Sequence, residues 1–464
     1  MSVPDSNTVL TVLWRAAGFD DAALRDIQLT GAEPALPSSF AVGVAAQATI
    51  AAAALAAAEI WRLRGGRRQR VSNNMRRAAI EFRSERYLCV DGKMLDDHHD
   101  DIAGLYRCGD GRWARLHTNL PHHCSGLLKL LGVAHDKTVV QRAVEGWQAE
   151  ALETAATEAG LVVTACRSFA EWDQHPQGRA VAGLPLFRIE KIGDAPPQKL
   201  ATAQRPLAGV KVLDLTRIIA GPVCGRTLAA HGADVLLVTA AHLASMLPLV
   251  IDTGRGKLSA SLDLRGAGSR DTLTALLRDA DIFVQGYRPG AIAAHGFSPQ
   301  EAARIRPGVI YVSLCAYGED GPWAPRRGFD SLVQTASGLN DAEAEAFGSH
   351  EPKVLPAQVL DHATGYLLAF AALAALKRRM EEGGSWHVRL SLLQTGFWLR
   401  QLGRIDGMAC RDPGFGDVGD CLEETPSGFG RLTAVRHTAE MSETPPRWER
   451  PSVPLGTNAA AWPS

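Results

Sequence analysis

The hydrophobic pattern is clearest in the second half of the chain, where short apolar runs alternate with longer helical stretches. Five runs have the length of buried strands and cover residues 210–215, 234–238, 258–264, 282–285 and 309–314. A helical pattern at residues 267–279 lies between two of them. Strands that alternate with helices predict a parallel sheet flanked by helices, and therefore the α/β fold class. In such sheets, ligands bind at the carboxyl ends of the strands.

A second feature is an almost uncharged stretch at residues 41–60, which is about long enough to span a bilayer. The stretch is mostly alanine and contains Gln47 and Thr49. Alanine barely favours lipid, but it has the highest helix propensity and lets another backbone approach closely. We therefore predict a buried helix of a soluble protein here, and no membrane span.

The same stretch belongs to an internal repeat. The segment LAAAEIWRLRGGRRQRVS, from Leu55, resembles LAALKRRMEEGGSWHVRLS, from Leu373. Each copy predicts an alanine-rich helix with a basic end, a Gly-Gly turn and a short strand, since basic residues and glycine favour a helix C-terminus. In this register Asp361 of the second copy corresponds to Gly43 of the first. Only the second copy therefore has a carboxylate where its helix begins.

Length and charge limit the class of protein. A chain of 464 residues is longer than one hydrophobic core usually organises, so we expect two domains. Its 49 basic and 50 acidic side chains give a formal net charge of -1. This balance provides no general electrostatic surface for nucleic acid or for an anionic membrane, and we predict neither as a partner.

The eight cysteines are scattered without regular spacing, which indicates reduced thiols in a cytoplasmic protein. The N-terminal sequence MSVPDSNTVL lacks the pattern of a secretion signal. Two histidine clusters, His98 with His99 and His122 with His123 beside Cys124, lack a third ligand at a fixed spacing. We therefore predict no metal site.

Candidate ligand-binding residues lie next to the predicted strands. The segment LDLTRIIAGPVCG predicts a turn into a helix, whose N-terminus could hold a phosphate or an adenine ring. The residues of this turn are Thr216, Arg217, Ala220 and Gly221. The segment has no G-x-G-x-x-G motif, and a plain tight turn would explain it as well.

Three cations near strand ends suit a phosphorylated ligand. Arg255 and Lys257 precede one predicted strand, and Arg288 follows another. Their charges and geometry would match the 3'-phosphate and the diphosphate of coenzyme A. Solvated surface charge is the alternative for each of them.

Taken together and in this order, several segments resemble the class III CoA-transferase family, which includes formyl-CoA and carnitine CoA-transferases and 2-methylacyl-CoA racemases. The resemblance is strongest over residues 206–400, in PLAGVKVLDLTRIIAGP, HGADVLLV, GRGKLSASLDLR, DADIFVQGYRPGAIAAHGF and LPAQVLDHATGYLLAFAALAAL. Residues 110–178 are similar to the small domain with which such proteins usually end. The family segments therefore stand in permuted order. The two parts could form a site within one chain or across the interlocked dimer typical of the family.

The resemblance implies a nucleophile. In the family's transferases an aspartate opens the long helix after the sheet, and the matching residue here is Asp361. Its carboxylate would attack an acyl-CoA thioester, form a mixed anhydride, and then carry CoA as an enzyme thioester to a second acid. We expect the helix N-terminus to keep Asp361 ionised at neutral pH. From the pattern alone, an N-cap role would also explain this residue.

The resemblance further implies that coenzyme A or an acyl-CoA binds as a substrate, with no metal. The contacts that it implies are Thr216, Arg217, Ile218, Ala220, Arg255, Lys257 and Arg288. After HGADVLLV this chain reads TAAHLASM, where the family usually has charged residues that help to hold the nucleotide. Some CoA contacts are therefore expected to be missing.

Two alternatives remain open. The family's racemases use a histidine just before the aspartate of the motif seen here as GFDSLVQ, and Phe329, at that position, cannot act as an acid or a base. His362 could replace it, but side chains adjacent on a helix diverge, which favours a core or surface role. The other alternative is a degenerate homologue that binds CoA without catalysis, which the TAAHLASM segment and Gly43 suggest.

We therefore expect a CoA-transferase of the α/β class with a parallel nucleotide-binding sheet and a smaller α+β domain. The predicted regions are a helical segment at 1–79, the small domain at 80–190, a linker at 191–205, the CoA-binding domain with the catalytic helix at 206–404, and an extended tail at 405–464. We expect a cytoplasmic homodimer that acts on an acyl-CoA and a carboxylic acid.

Overall fold

The computed structural model of the protein describes residues 3–95 and 99–463. Its helices are α1 (Ser6–Ala16), α2 (Val42–Leu63), α3 (Met75–Glu81), α4 (Pro121–Leu131), α5 (Lys137–Val144), α6 (Ala149–Glu158), α7 (Phe169–Gln174), α8 (Pro176–Val181), α9 (Ala220–Ala230), α10 (Leu247–Thr253), α11 (Ala267–Asp279), α12 (Pro299–Ile305), α13 (Asp330–Ala336), α14 (Leu339–Ala346), α15 (Val359–Glu382) and α16 (Leu392–Gln401). Its strands are β1 (Ile27–Thr30), β2 (Val71–Asn74), β3 (Cys89–Val90), β4 (Lys93–Met94), β5 (Gly104–Arg107), β6 (Trp113–Leu116), β7 (Val163–Ala165), β8 (Arg188–Gly193), β9 (Lys211–Leu215), β10 (Asp234–Thr239), β11 (Lys257–Ser261), β12 (Ile282–Gln285), β13 (Ile310–Cys315), β14 (Ser385–Ser391), β15 (Leu422–Ser427), β16 (Gly430–Val435) and β17 (Glu440–Met441).

Seven strands form the large sheet, in the order β11-β10-β9-β12-β13-β14-β8. All neighbouring pairs are parallel except β14 and β8. The chain enters the middle of the sheet at β9, continues to β10 and β11 on one side, and then crosses to β12 on the other. The predicted parallel sheet is confirmed. Because the strand order reverses between β9 and β12, a binding crevice is expected at their carboxyl ends.

The sequence pattern located these elements closely. Four predicted strands differ from β9, β10, β12 and β13 by no more than one residue at either end, and the predicted helix coincides with α11. Strand β11 ends at Ser261, three residues earlier than predicted. A turn at Asp263 ends it, since the Asp263 carboxylate accepts a hydrogen bond from the Arg265 N–H and its carbonyl accepts one from the Gly266 N–H.

Two long helices, α2 and α15, form the centre of the molecule and pack against each other. Both are long and apolar enough to cross a membrane, but the apolar window of each is buried inside the protein. This burial agrees with the predicted buried helix at 41–60. Alanine at most contact positions lets α2 lie close to its neighbours.

The internal repeat is present in three dimensions. In the first copy α2 leads into β2 and α3, and in the second α15 leads into β14 and α16. Each strand has a parallel neighbour on one side and an antiparallel neighbour on the other: β2 lies between β1 and β17, and β14 lies between β13 and β8. The two copies therefore share their order of elements and their strand pairing.

Strands β5, β6 and β7 form a small antiparallel sheet. Together with α4, α5 and α6 they surround a separate hydrophobic core. Strand β8, at the end of the predicted small domain, instead joins the large sheet, so the predicted boundary at residue 190 falls inside a strand. The predicted extended tail contains the hairpin of β15 and β16, which pairs with β3 of the same chain.

Candidate active site

The entrance of α15 is the centre of the candidate site. Asp361 lies in the first turn of this helix, and its side chain is only 6% exposed. Its backbone N–H donates to Asp330 Oδ2 at 2.9 Å. A neighbouring carboxylate thus caps the helix, so the Asp361 carboxylate is not needed as the cap.

Two cavities meet at Asp361. The arginine cavity, about 160 Å³, has Arg217, Arg288 and Arg327 in its wall. The large cavity, about 430 Å³, extends toward the small antiparallel sheet. Three residues line both cavities: Ile218, Phe329 and Asp361. The Asp361 carboxylate is therefore accessible from two chemically different spaces.

Close backbone contacts bring the turn after β9 to Asp361. One helical turn beyond Asp361, a Cβ atom on Gly365 would lie 2.6 Å from the Ala220 carbonyl oxygen, which shows how closely α15 approaches the start of α9. Ile218, in the turn itself, has a φ of 74°. A β-branched residue rarely adopts this left-handed conformation, and such strain costs about 1–3 kcal/mol and is concentrated at functional sites.

A buried ion pair fixes the same turn from behind. Lys257 Nζ lies 2.8 Å from Asp214 Oδ2 and 2.7 Å from the Pro222 carbonyl oxygen. The other Asp214 oxygen accepts the Thr216 hydroxyl hydrogen bond. Lys257 therefore positions the start of α9 and does not itself line either cavity.

Arg255 is also committed to the interior. It donates to Asp252 Oδ1 and to the Val435 carbonyl oxygen, each at 2.6 Å, and its guanidinium lies 4.1 Å from the centroid of the Trp448 ring. Arg255 precedes β11 and Lys257 begins it, whereas the cavities lie at the carboxyl ends of the strands. This placement corrects the expectation that both cations face coenzyme A, and we leave them out of the proposed contacts.

The three arginines of the arginine cavity have no acidic partner among residues 3–95 and 99–463. No described carboxylate lies within 4.0 Å of Arg217, Arg288 or Arg327, and Arg217 donates only to the Ala244 carbonyl oxygen. Burial lowers the pKa of Arg327, and the charges of the other two arginines lower it further. Mutually repelling guanidiniums that are kept together without carboxylates indicate an anionic ligand.

The other predicted contacts are placed as follows. Ala220 lines the arginine cavity with Ile218, whereas Thr216 is buried and lines a smaller neighbouring cavity of about 40 Å³. A further cavity of about 120 Å³ lies where β9, β10 and β11 end, and shares Tyr287 with the arginine cavity. Four residues of the uncharged segment line it: Thr239, Ala240, His242 and Leu243.

The surroundings of Asp361 oppose the ionisation that the helix N-terminus was expected to favour. Burial raises the pKa of Asp361 well above its usual range, and the charges of Asp330 and Glu85 raise it further. Burial also raises the pKa of Asp330, to about 6. The helix dipole is too weak to offset desolvation and two nearby carboxylates. The two aspartates therefore titrate as a coupled pair that retains a proton more readily than isolated carboxyl groups.

The small sheet contributes side chains that the sequence analysis did not identify as site residues. Along ARLHTN, Ala114 and Leu116 point into the small core. The alternate residues face the large cavity, and they are Arg115, His117 and Asn119. Period-2 alternation is visible in the sequence, but it does not show what covers the polar face. Residues of the small sheet and Asp361 of the same chain therefore line one cavity.

Histidines surround Phe329. The ring of His117 stacks on Phe329 with centroids 4.1 Å apart, and His123 contacts it edge-on at 6.1 Å. Burial lowers the pKa of each histidine to about 3, so both are neutral near pH 7. His122 and His123 line the arginine cavity. From the sequence we had considered these two histidines only as part of a possible metal cluster.

His362 has a structural environment. Its side chain is fully buried, its Nε2 lies 3.0 Å from Glu85 Oε2, and its ring stacks on Phe82 at 5.5 Å. It lines neither cavity, which agrees with the expected core role.

One group of described residues has the proximity of metal ligands: ligand atoms of Asp100, Cys124 and His135 lie within 4.8 Å of one another. The Asp100 carboxylate already accepts hydrogen bonds from Thr118 and the Ile102 N–H. Burial, with Asp100, raises the pKa of the Cys124 thiol to about 11, which disfavours the thiolate that binds metals. His98 of the other predicted cluster lies outside the described residues, and His99 lines the large cavity.

Comparisons with known proteins show what part of the chain is similar to. Residues 207–412 match CoA-transferase family III. An acyl-CoA transferase of Gibberella moniliformis is 32% identical over 314 residues, which are 62% of this chain and 55% of that protein. Acetyl-coenzyme A transferase nodX of Hypoxylon pulicicidum is 32% identical over 333 residues, 66% of this chain and 55% of that protein. The crystal structure of Rv3272 from M. tuberculosis is 30% identical, covers 43% of this chain and 59% of its own, and has a TM-score of 0.39. The chain spans about half the length of the curated relatives that it matches.

Proposed function

We propose that the protein transfers coenzyme A from an acyl-CoA to a free carboxylic acid, with Asp361 as nucleophile, because residues 207–412 of the chain match CoA-transferase family III. One observation carries the proposal: a single carboxylate lies where an arginine-lined cavity meets a larger, mostly apolar one. Phosphates and pantetheine would occupy the first, and the acyl group the second.

The proposed chemistry needs no ATP. An Asp361 carboxylate oxygen attacks the thioester carbonyl, the C–S bond breaks, and a mixed anhydride and the CoA thiolate form. The thiolate then attacks the Asp361 carbonyl, which releases the first acid as a carboxylate and leaves CoA on the enzyme as a thioester. A second carboxylate attacks the enzyme thioester, which releases the CoA thiolate and forms a new mixed anhydride. The thiolate then attacks the acyl carbonyl of this anhydride. This attack yields the new acyl-CoA and regenerates the Asp361 carboxylate.

The turn after β9 has a defined part in this proposal. Ala220 begins α9 beside Asp361, and the first N–H groups of a helix lack internal partners. Such groups can stabilise the oxyanion that develops on either attacked carbonyl. The Lys257–Asp214 ion pair would hold this turn in place, and Lys257 is therefore a positioning residue.

Trapping by hydroxylamine tests the proposal. Hydroxylamine attacks acyl-enzyme anhydrides and thioesters, so we expect inactivation of the wild type only when an acyl-CoA is present, with a hydroxamate at Asp361. Asp271, exposed on α11, offers a matched control as Asp271→Asn. Inactivation that does not depend on acyl-CoA, or a hydroxamate at another residue, would contradict the assignment.

The racemase alternative has a separate test. Phe329 occupies the position of the racemase histidine, and the neighbouring histidines are held neutral by burial. We therefore expect no deuterium at the α-carbon of a 2-methylacyl-CoA incubated with the enzyme in heavy water. Incorporation that Asp361→Asn abolishes would favour proton exchange over CoA transfer.

We further propose a cytoplasmic homodimer, as the family resemblance suggests. The eight cysteines are all free, which suits a reducing compartment. Since residues of one chain line both cavities, activity should not require the partner subunit. Light scattering gives the oligomeric state, and dilution below the dissociation constant of the dimer should leave the rate per chain unchanged.

A further inference from the structure

We propose that Arg115 binds a second carboxylate at the far end of the acyl group, so that the enzyme selects dicarboxylic acids and their CoA esters. This inference rests on the function proposed above and names its substrate class. The observation behind it is a guanidinium in the large cavity that has no acidic partner in the part of the chain that the structure describes.

The strand pattern determines where Arg115 points. Ala114 and Leu116, its neighbours in β6, are buried in the small hydrophobic core. Successive side chains of a strand point to opposite faces, so Arg115 lies on the face toward the large cavity and lines it. It shares that cavity with Asp361, which would be the attachment point of the acyl group.

Arg115 lacks the partners that a partly buried cation usually has. No carboxylate of the described residues lies within 4.0 Å of its guanidinium, and no acceptor among them receives one of its hydrogen bonds. Burial lowers the pKa of Arg115, and the charges of Asp330 and Cys166 oppose that shift. A guanidinium is always protonated in proteins, so a desolvated one is unfavourable until an anion joins it.

The acidic groups of the large cavity are engaged elsewhere. Glu85 Oε2 lies 3.0 Å from His362 Nε2. Asp330 accepts from the Asp361 N–H at 2.9 Å and from the Gln334 amide. Arg86, the other cation of this cavity, is exposed and lies 3.7 Å from Glu85. Arg115 therefore remains the cation of this cavity that a ligand could neutralise.

The walls of the large cavity indicate what joins that anion to the thioester. Apolar side chains form much of its lining, among them Leu95, Ile219, Met246, Leu249 and Leu355. Apolar walls beside the Arg115 guanidinium fit a hydrocarbon chain that ends in a carboxylate, because the planar guanidinium binds a carboxylate through two parallel hydrogen bonds. A phosphate would find its partners in the arginine cavity, on the other side of Asp361.

Two CoA esters of equal chain length test the proposal. Glutaryl-CoA and pentanoyl-CoA differ by a terminal carboxylate in place of a methyl group. Calorimetric titration of Asp361→Asn, which cannot be acylated, should show glutaryl-CoA binding about 10- to 100-fold more tightly, the range expected for a charged hydrogen-bonded pair. Adding Arg115→Met should abolish this preference while the affinity for pentanoyl-CoA stays within about threefold.

Two further variants separate recognition from a structural role. Arg115→Lys retains the charge and should keep part of the preference for glutaryl-CoA. Arg107→Met removes an exposed cation of the same small sheet and should change neither affinity. Thermal unfolding of each variant shows whether the sheet is intact, since a purely structural Arg115 would lower the affinity for both esters together.

The outcomes distinguish the two proposals. If neither ester binds, the CoA function itself fails. If both bind with equal affinity, CoA binding stands and the role of Arg115 is overturned. Tighter binding of pentanoyl-CoA, or an unchanged preference in Arg115→Met, also overturns it.

Discussion

The entrances of α2 and α15 are two versions of one structural unit, and they differ in what surrounds the start of the helix. Both are capped by a carboxylate from a preceding segment: Glu33 Oε1 accepts from the Val44 N–H at 2.8 Å, and Asp330 Oδ2 accepts from the Asp361 N–H at 2.9 Å. At α2, a Cβ atom on Gly43 would lie 2.7 Å from Glu33 Oε2 and 2.9 Å from Met75 Sδ.

At α15 the corresponding space is open. Asp361 adjoins two cavities of about 160 and 430 Å³, whereas packed side chains fill the volume around Gly43. The comparison shows that the repeat and its cap build a helix, but that a reactive centre also needs a carboxylate and space for a ligand. It predicts that chemistry and stability respond differently to substitution at the two positions.

The largest effect is expected from Asp361→Asn. The amide keeps the shape of the side chain but cannot attack a thioester, so CoA exchange should fall by at least about 10³-fold, as for other nucleophile substitutions. Isotope exchange between an acyl-CoA and its labelled free acid measures the rate. A variant that retains a tenth of the wild-type rate would remove Asp361 from the mechanism.

Placing a carboxylate at the other entrance should not create a site. Gly43→Asp would force a second acid against Glu33 in a filled space and should destabilise the protein by about 2–4 kcal/mol. Combined with Asp361→Asn it should restore no exchange. Urea unfolding gives the stability change, and Gly43→Ala provides the control for overpacking without charge. Recovery of activity in the double variant would show that the two entrances are interchangeable.

A smaller effect concerns the pH dependence of stability. Because the pKa of Asp361 is raised in the folded protein, the neutral acid favours folding, and this stability is lost as the pH rises through the folded pKa. Asp361→Asn has no such loss. It should match the wild type near pH 4 and exceed it by on the order of 1 kcal/mol near pH 8. Unfolding curves at both pH values measure this; an equal difference at both would contradict the raised pKa.

The smallest effect is expected from Glu33→Gln at the first entrance. This carboxylate accepts hydrogen bonds from the Val44 and Ala35 N–H groups, so it acts as the cap of α2. The amide can replace only part of that role, and the loss should be about 0.5–1 kcal/mol with no change in the rate of CoA exchange. A change in the rate would indicate that α2 transmits its stability to the site.

The sequence predicted the elements of the large sheet well because its strands are short, apolar and separated by amphipathic helices. The position of Asp361 followed from the repeat and the family resemblance. The sequence did not predict the raised pKa of Asp361, because burial and Asp330 act through packing between segments about thirty residues apart. The helix sequence alone indicates only the effect of the helix dipole on that pKa.

The cations illustrate the same limit. The sequence led us to expect that Arg255 and Lys257 contact coenzyme A, but Asp252 and Asp214 neutralise them in the interior. Arg115 shows the reverse case: it belongs to an ordinary alternating strand, and the packing of the small sheet against α13 accompanies its position in the cavity wall. Local pattern predicts which face a residue occupies, and the identity of the segment that covers that face depends on the whole fold.

Transfer of oxygen from the acceptor acid to the enzyme tests the central claim most directly. In the proposed route a carboxylate oxygen of the second acid becomes the bridging atom of the anhydride and stays on Asp361 when CoA attacks the acyl carbonyl. After turnover with an ¹⁸O-labelled carboxylic acid, mass spectrometry of the peptide that contains Asp361 should show incorporation of ¹⁸O at that residue. Product formation without ¹⁸O in this peptide, or with the label at another acidic residue, would contradict the account.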